Sequence, residues 1–511
     1  MLSILIWLPV LAGLAIACLP EAIMTPTRSR QVAMAIALVI LGWTGYLLTQ
    51  FDVQSAGLQF QESFDWIAPL GLSYRLGMDG LSLPLIAINS LLVYIALYCS
   101  DVNLIRPRLY YSLMMLLAAG VAGAFLAQNL LLFFLFYEVE LIPLYLMIAI
   151  WGGSRRGYAA TKFLIYTAIS GALILAAFFG LALLSGSFSF DYEQLQNLEL
   201  PMTTQLILLV TIVVGFGIKV PIVPLHTWLP DAHVQAPTPT SVLLAGVLLK
   251  LGTYGLLRFG LQLLPDAWRV IAPALAILAV VNVLYGSFVA IAQTDMKKMV
   301  AYSSVGHMGY VMLAAAAATP LSIAATIAQM ISHGLISALL FLLVGVVYSK
   351  TGTRNVDVLQ GLLNPERGLP LIGSLMIVSV MASAGIPGMI GFIAEFLVYR
   401  SSFPIFPVAT LLCMLGTALT AVYFLNLINR SFFGRLPETF ANLPAIYWKD
   451  RIPALIVVAL VIAFGLQPGW IIRWSEPTSL ALGTLGDRST TTAFVEANPL
   501  TLPLSAPALV D

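Results

Sequence analysis

A chain of 511 residues that is 60% hydrophobic and only 9% charged, with a mean hydropathy of +0.96, has too little polar side chain to coat a water-soluble fold. A net charge of +1 gives no reason to expect a nucleic-acid partner. Cys18, Cys99 and Cys413 lie far apart in apolar runs, with no CxxC or Cys/His spacing, and no GxGxxG or phosphate loop follows a strand. Iron–sulfur, zinc and nucleotide chemistry are therefore not expected in this chain.

In chain order the apolar runs predict an all-α integral membrane fold of roughly fourteen spans of about 20 residues each. They lie near 2–20, 31–50, 80–100, 109–127, 129–151, 161–184, 205–224, 237–262, 270–292, 299–318, 321–349, 370–400, 405–430 and 452–474. The first span has no basic residues before it and no small-residue cleavage site after it, so it reads as a retained helix. Residues 1–475 read as one polytopic domain, and 476–511, rich in Thr, Ala and Pro, as an extended tail.

Two spans are interrupted. The seventh carries Pro221, Pro224 and Pro230, and the twelfth carries Gly385, Pro387, Gly388 and Gly391. Proline removes a backbone donor and clashes with the preceding turn. The freed groups survive at membrane depth only when packed in protein or lining a wet cavity. Broken spans five helices apart suggest two repeats, spans 4–8 (about 109–262) and 9–13 (about 270–430). Adjacent units with an odd number of spans are inverted, an architecture that holds ion sites near the midplane.

Loops after odd-numbered spans hold 16 Lys and Arg residues against 6 on the other side. The positive-inside rule then puts both termini on the non-cytoplasmic side. Of the 24 Lys and Arg residues, Lys219 and Lys250 remain, both deep in apolar sequence. A charge at a helix centre costs about 2.5–3.5 kcal/mol on insertion scales, so such groups must be paired, neutralised or wet.

Glu138, in the fifth span, reads as a carboxylate paired to a lysine on a neighbouring helix, for function or for packing. Glu140, two residues on, points to nearly the opposite face of a helix and is expected at an interface or in a structural role. Lys219 stands just before the break in span seven, about 20 Å into that span at 1.5 Å per residue, too deep to snorkel easily. Lys250 has nothing acidic within a turn of its own helix. His226, Asp231 and His233 in the broken segment serve either as a relay or as partners for freed backbone. His307 and His333 can pass protons or simply pack. Glu395, after the second break, is the counterpart of Lys219 under the repeat reading. Asp79 and the cluster Asp295, Lys297 and Lys298 read as caps or solvated ends.

The runs FYEVELIPLYLMIAIWGG, GFGIKVPIVPLHTWLPDAHVQAPTPTSVLLAG, LLKLGTYGLLRF, QTDMKKMVAYSSVGHMGY, ISHGLISALLFLLVG and GIPGMIGFIAEF, spread over roughly 130–400, resemble the antiporter-like membrane subunits of complex I. Glu395 and the Glu138–Pro143 run resemble chain 4, the M-type or D-type subunit, of the cyanobacterial and plastid complex. That resemblance implies a proton-translocating subunit of a ferredoxin- or NAD(P)H-driven plastoquinone oxidoreductase in a thylakoid or plasma membrane. It implies a Glu138–Lys219 ion pair, Lys250 as central relay, and His307 and His333 linking it to a terminal Glu395. Glu140 receives no role from it. Iron–sulfur clusters and plastoquinone belong to other subunits, and the implied partners are further antiporter-like and other membrane-arm subunits. Tyr137, where tryptophan usually precedes the glutamate, and the long tail resemble the CO2-uptake paralogue, whose distal module supports CO2 hydration. Two other readings stay open: a cation/proton antiporter subunit working without electron transfer, and a passive scaffold.

Overall fold

The computed structural model describes residues 1–101, 103–196, 198–440 and 442–486. Two helices, α1 (Ser3–Cys18) and α2 (Pro26–Gln50), precede a β-hairpin of β1 (Gln59–Ile67) and β2 (Leu72–Met78). The strands pair antiparallel with Phe64 opposite Tyr74. Next come α3 (Ser82–Cys99), α4 (Pro107–Leu126), α5 (Leu130–Val139), α6 (Leu141–Trp151), α7 (Arg156–Leu184) and the single turn α8 (Tyr192–Leu195). The seventh span is α9 (Met202–Lys219), an irregular stretch and α10 (Trp228–Gln235). A continuous run from Thr238 to Leu261 holds α11 (Thr238–Leu243) and α12 (Leu249–Gly255), each followed by a π-helical turn. The second half has α13 (Pro265–Ile291), α14 (Met296–Ala317), α15 (Pro320–Thr351), α16 (Pro370–Ser383), α17 (Ile390–Ser402) and α18 (Pro407–Ser431). The last helices are α19 (Trp448–Leu466) and α20 (Gly469–Gly486).

Local chemistry sets many of the helix starts. Thr25, Asn129 and Asp295 accept hydrogen bonds from the free backbone donors of α2, α5 and α14, and Thr319 with Ser322 forms a capping box on α15. Proline occupies the first turn of α2, α4, α13, α15, α16 and α18, where its missing donor costs nothing.

Among the described residues, 10 helices are long and apolar enough to cross a membrane, or 11 if α19 and α20, bent by 69°, are one span. The other spans expected from the sequence fall short for visible reasons. Helix α1 has 16 residues, α14 carries Lys297, Lys298 and His307, α16 and α17 are halves of one broken span, and α19 opens on Lys449, Asp450 and Arg451. Two expectations need correction. Residues 59–78, read only as a polar stretch, form the hairpin. The tail does not begin at 476, because α20 runs to Gly486; the remainder of the tail lies outside the described residues.

Burial separates central helices from peripheral ones. The most apolar stretch of 238–261 is 100% buried and that of α15 is 89% buried, against 44% for α7 and α13. A helix that is apolar all round belongs in the middle of a bundle. The central pair carries Lys250 and His333.

Candidate functional site

The first group forms where α5 gives way to α6. Pro143 has no backbone N–H, so the carbonyl of Val139 loses its helical partner and the chain kinks at Glu140. The kink swings Glu140 towards the end of α9, where its Oε1 pairs with the Nζ of Lys219, both side chains being at most 2% exposed. The Tyr137 ring lies 3.5 Å from the same Nζ, a cation–π contact. The Tyr137 hydroxyl is 2.9 Å from Ser170 Oγ, which donates to the Gly215 carbonyl at 2.7 Å.

This geometry corrects the expected pairing. Glu138 does not hold Lys219; Glu140 does, and it is neither peripheral nor at a subunit surface. Glu138 is half-buried against α7, where its Oε1 occupies the space a Cβ on Gly171 would take, and that oxygen has no hydrogen-bond partner among the described residues. The reason is angular. Two residues at about 100° each put the carboxylates on opposed faces, and the kink then directs the second one inward.

The break after Lys219 is held by a residue that sequence reading missed. Asn282, buried on α13, accepts from the Val223 N–H at 2.8 Å and donates to the Pro221 carbonyl at 3.1 Å. Trp228 Nε1 donates to the Ile218 carbonyl at 2.8 Å. The backbone freed by the prolines is therefore satisfied from neighbouring elements. An amide on an otherwise apolar helix was the available signal.

The second group is centred on Lys250. Its Nζ donates to the Ala245 carbonyl at 2.6 Å and meets His333 Nδ1 at 2.7 Å. Ala245 is in the π-helical turn Leu244–Leu248, and a widened turn leaves a carbonyl that the amine can reach. Helices α9 and α12 meet through Gly252, whose missing Cβ would lie 2.8 Å from Val220 Cγ2 and 3.0 Å from the Phe216 carbonyl. Phe216 and Val220, beside Lys219 in sequence, thus pack on the helix of Lys250 two residues beyond it.

The third group reaches from His333 to Glu395. The His333 and His307 rings are 5.8 Å apart, His307 Nδ1 is 3.6 Å from Glu395 Oε1, and His307 Nε2 is 3.0 Å from Ser383 Oγ. Thr417 donates to Glu395 Oε2 at 2.9 Å, and Tyr399 and Tyr310 bond to Thr417 at 2.5 and 3.3 Å. A cavity of about 10 Å³, room for about one water, is lined by Ser303, His307, Ser332, His333, Ser337 and Glu395. Thr417, Tyr399 and Ser383 were not foreseen, since lone hydroxyls on apolar helices carry no pattern.

The secondary residues do not form one group. Asp231 pairs with Lys162 at 2.7 Å and is 35% exposed. His226 lies edge-on to Tyr285 at 4.9 Å, and His233 stacks on Phe341 at 4.4 Å. The cap reading holds for Asp295, but Lys297 is buried and donates to the Ala236 carbonyl at 2.5 Å. Asp79 accepts from the Leu81 and Ser82 N–H groups at 3.1 and 3.0 Å, as a cap should. Among the described residues no group of three or more His, Cys, Asp or Glu could hold a metal ion.

Chemically, three buried groups of proton-bearing side chains follow one another across the bundle, with His333 of α15 shared by the second and the third. Comparison with known proteins shows the family and the fold. Residues 127–420 match the family described as NADH:quinone oxidoreductase/Mrp antiporter, transmembrane. The chain is 40% identical over 487 residues to NAD(P)H-quinone oxidoreductase chain 4 3 of Trichormus variabilis, covering 92% of this chain and 89% of that one. It is 39% identical over 493 residues to chain 4 2 of Thermosynechococcus vestitus, covering 94% and 91%. Among solved structures, a chain of respiratory complex I from Thermus thermophilus superposes with a TM-score of 0.87 at 28% identity, covering 95% of this chain and 100% of that one. A chain of the Mrp complex from Dietzia shares the fold, with a TM-score of 0.83 at 21% identity over 96% and 97%.

Proposed function

This chain belongs to the NADH:quinone oxidoreductase/Mrp antiporter transmembrane family, and from that premise we propose that it is the chain 4 type, proton-translocating membrane-arm subunit of a NAD(P)H- or ferredoxin-driven quinone oxidoreductase. The observation that carries this reading is the buried series Glu140–Lys219, Lys250–His333 and His307–Glu395, held on α5–α6, α9, α12, α15, α14 and α17. Each group combines a proton-bearing side chain with a partner able to change its affinity for that proton.

In the proposed cycle, redox change in partner subunits alters the Glu140–Lys219 contact. When the pair opens, the uncompensated ammonium favours moving positive charge away from Lys219. In this cycle the step from Lys219 to Lys250 passes the packed Phe216 and Val220 side of Gly252 electrostatically or by transient water. From Lys250 the proton passes to His333, then through His307 and the small cavity to Glu395. Thr417, Tyr399 and Tyr310 hold that carboxyl in place.

The two repeats, about 109–262 and 270–430, would supply one broken span each to this series, and the excess of basic residues in alternate loops favours termini on the non-cytoplasmic side of a thylakoid or plasma membrane. Plastoquinone and the iron–sulfur clusters reside on partner subunits, among them further antiporter-like chains. Tyr137 at the Lys219 ammonium and the long tail favour the CO2-uptake form, with the hydration chemistry on a distal partner.

Lys219→Met tests the reading in the intact complex. Pumping should be abolished while assembly is kept. Full pumping by that variant overturns it, and sodium-driven proton exchange without an electron donor would favour the antiporter alternative.

A further inference from the structure

One buried ion pair takes no part in the proton series. Asp79, at the start of α3, and Arg258, in the π-helical turn after α12, are each at most 4% exposed and meet at 2.5 Å. The loop count had placed Arg258 outside the membrane. Its guanidinium is fully engaged. Arg258 NH1 donates to Gln262 Oε1 at 3.2 Å, and Nε donates to the Tyr254 hydroxyl at 3.3 Å. The rings of Tyr192 and Tyr254 flank it at 5.5 and 5.3 Å. The Tyr192 hydroxyl donates to the same Gln262 oxygen. Asp79 is pinned by the Leu81 and Ser82 N–H groups, and the adjoining Gly80 N–H is held by Thr478 of α20 at 3.0 Å.

The position of this pair matters. A cavity of about 170 Å³ under the hairpin is lined by Gln61, Glu62, Arg75, Gln128, Tyr192 and Glu193. Tyr192 belongs to its lining and contacts Gln262 and Arg258, which in turn holds Asp79. Arg258 is eight residues beyond Lys250, or about 12 Å along the helix at 1.5 Å per residue. Tyr254 lies midway, its hydroxyl bonded to the Phe125 carbonyl at 3.1 Å. The Arg258 cluster thus stands along the helix between Lys250 and Tyr192 of the cavity lining.

We propose that Arg258 and Asp79, braced by Gln262 and Tyr192, form a fixed-charge plug that insulates Lys250 from the hairpin-side cavity. A proton on Lys250 therefore leaves sideways through His333. The inference rests on the proton-translocating reading above. The choice of arginine supports it, because a guanidinium stays charged at any accessible pH and cannot act as a relay, unlike a lysine or histidine. A fixed positive charge in a narrow polar pore is also a known means of excluding protons. Flanked by two tyrosines and bonded on three nitrogens, Arg258 is held in place from several sides. Without it, a lone carboxylate would stand between the cavity and Tyr254, and the plug would become a relay.

The test uses membrane vesicles holding the intact complex, with passive proton conductance measured under an imposed gradient and no electron donor. Arg258→Gln should raise conductance at least tenfold while electron transfer continues, and adding Lys250→Met should remove the leak. An assembled Arg258→Gln complex as tight as wild type overturns the plug. If that variant fails to assemble, Arg258→Lys, which keeps a cation beside Asp79 but one able to release its proton, should leak in the same way, and a tight Arg258→Lys complex overturns the plug. Retained pumping in Lys250→Met alone would overturn the underlying functional reading. Lost pumping in Lys250→Met together with tight plug variants would overturn only the plug.

Discussion

Replacing Glu140 by Gln removes the one carboxylate that pairs with Lys219 while keeping its volume. Both side chains are at most 2% exposed, so water cannot take over. Breaking a buried pair from one side costs about 3–5 kcal/mol, because it strands the other charge. The Tyr137 ring faces the Lys219 ammonium with either side chain at position 140, so this contact leaves the cost unchanged. Glu138→Gln, by contrast, alters a half-buried carboxylate outside the pair, where about 0–1 kcal/mol is at stake. The two variants should therefore differ by at least about 2 kcal/mol, or roughly 30-fold, in the equilibrium that holds the Lys219 charge. Proton pumping and electron transfer by the intact complex, with assembly checked by native gel, read this difference. Glu140→Gln should fall to a tenth of wild-type pumping or less, and Glu138→Gln should keep more than half. The reverse order would refute the pairing and return the role to Glu138.

Glu395→Gln preserves the packing against Thr417 but removes the titrating carboxyl, so pumping should fall at least tenfold with unchanged subunit content. Wild-type pumping there would remove Glu395 from the path. Asn282→Ala strands the Val223 N–H and the Pro221 carbonyl. Each unsatisfied buried group costs about 1–3 kcal/mol, so the thermal stability of the complex should drop measurably; no change would show that water or a rearranged turn satisfies them.

Most helices were legible in the sequence because a span of about 20 apolar residues leaves an unmistakable run. The breaks at Pro221–Pro224 and Gly385–Gly388 were legible too, since proline and glycine act locally. The hairpin was not, because short alternation in a polar stretch does not distinguish strand from loop. Lys219, Lys250, His333, His307 and Glu395 stood out as ionisable groups in apolar runs, and the structure brings them into neighbouring groups. The partner of Lys219 was misread because the resemblance favoured the glutamate after Tyr137, and the effect of Pro143 on the direction of Glu140 is a matter of three dimensions. Arg258 was overlooked for a similar reason. Four residues from the end of an apolar run, it looks like a loop cation until Asp79, 179 positions earlier, is seen to meet it.

The central claim is that protons cross this chain through Lys250, where the first half meets the second. Its most direct test is the number of protons moved per electron by the intact complex carrying Lys250→Met. The account predicts a ratio lowered by this subunit's whole contribution, with the complex assembled and His333 left without its amine partner. A wild-type ratio in an assembled Lys250→Met complex would contradict it and leave these helices a scaffold.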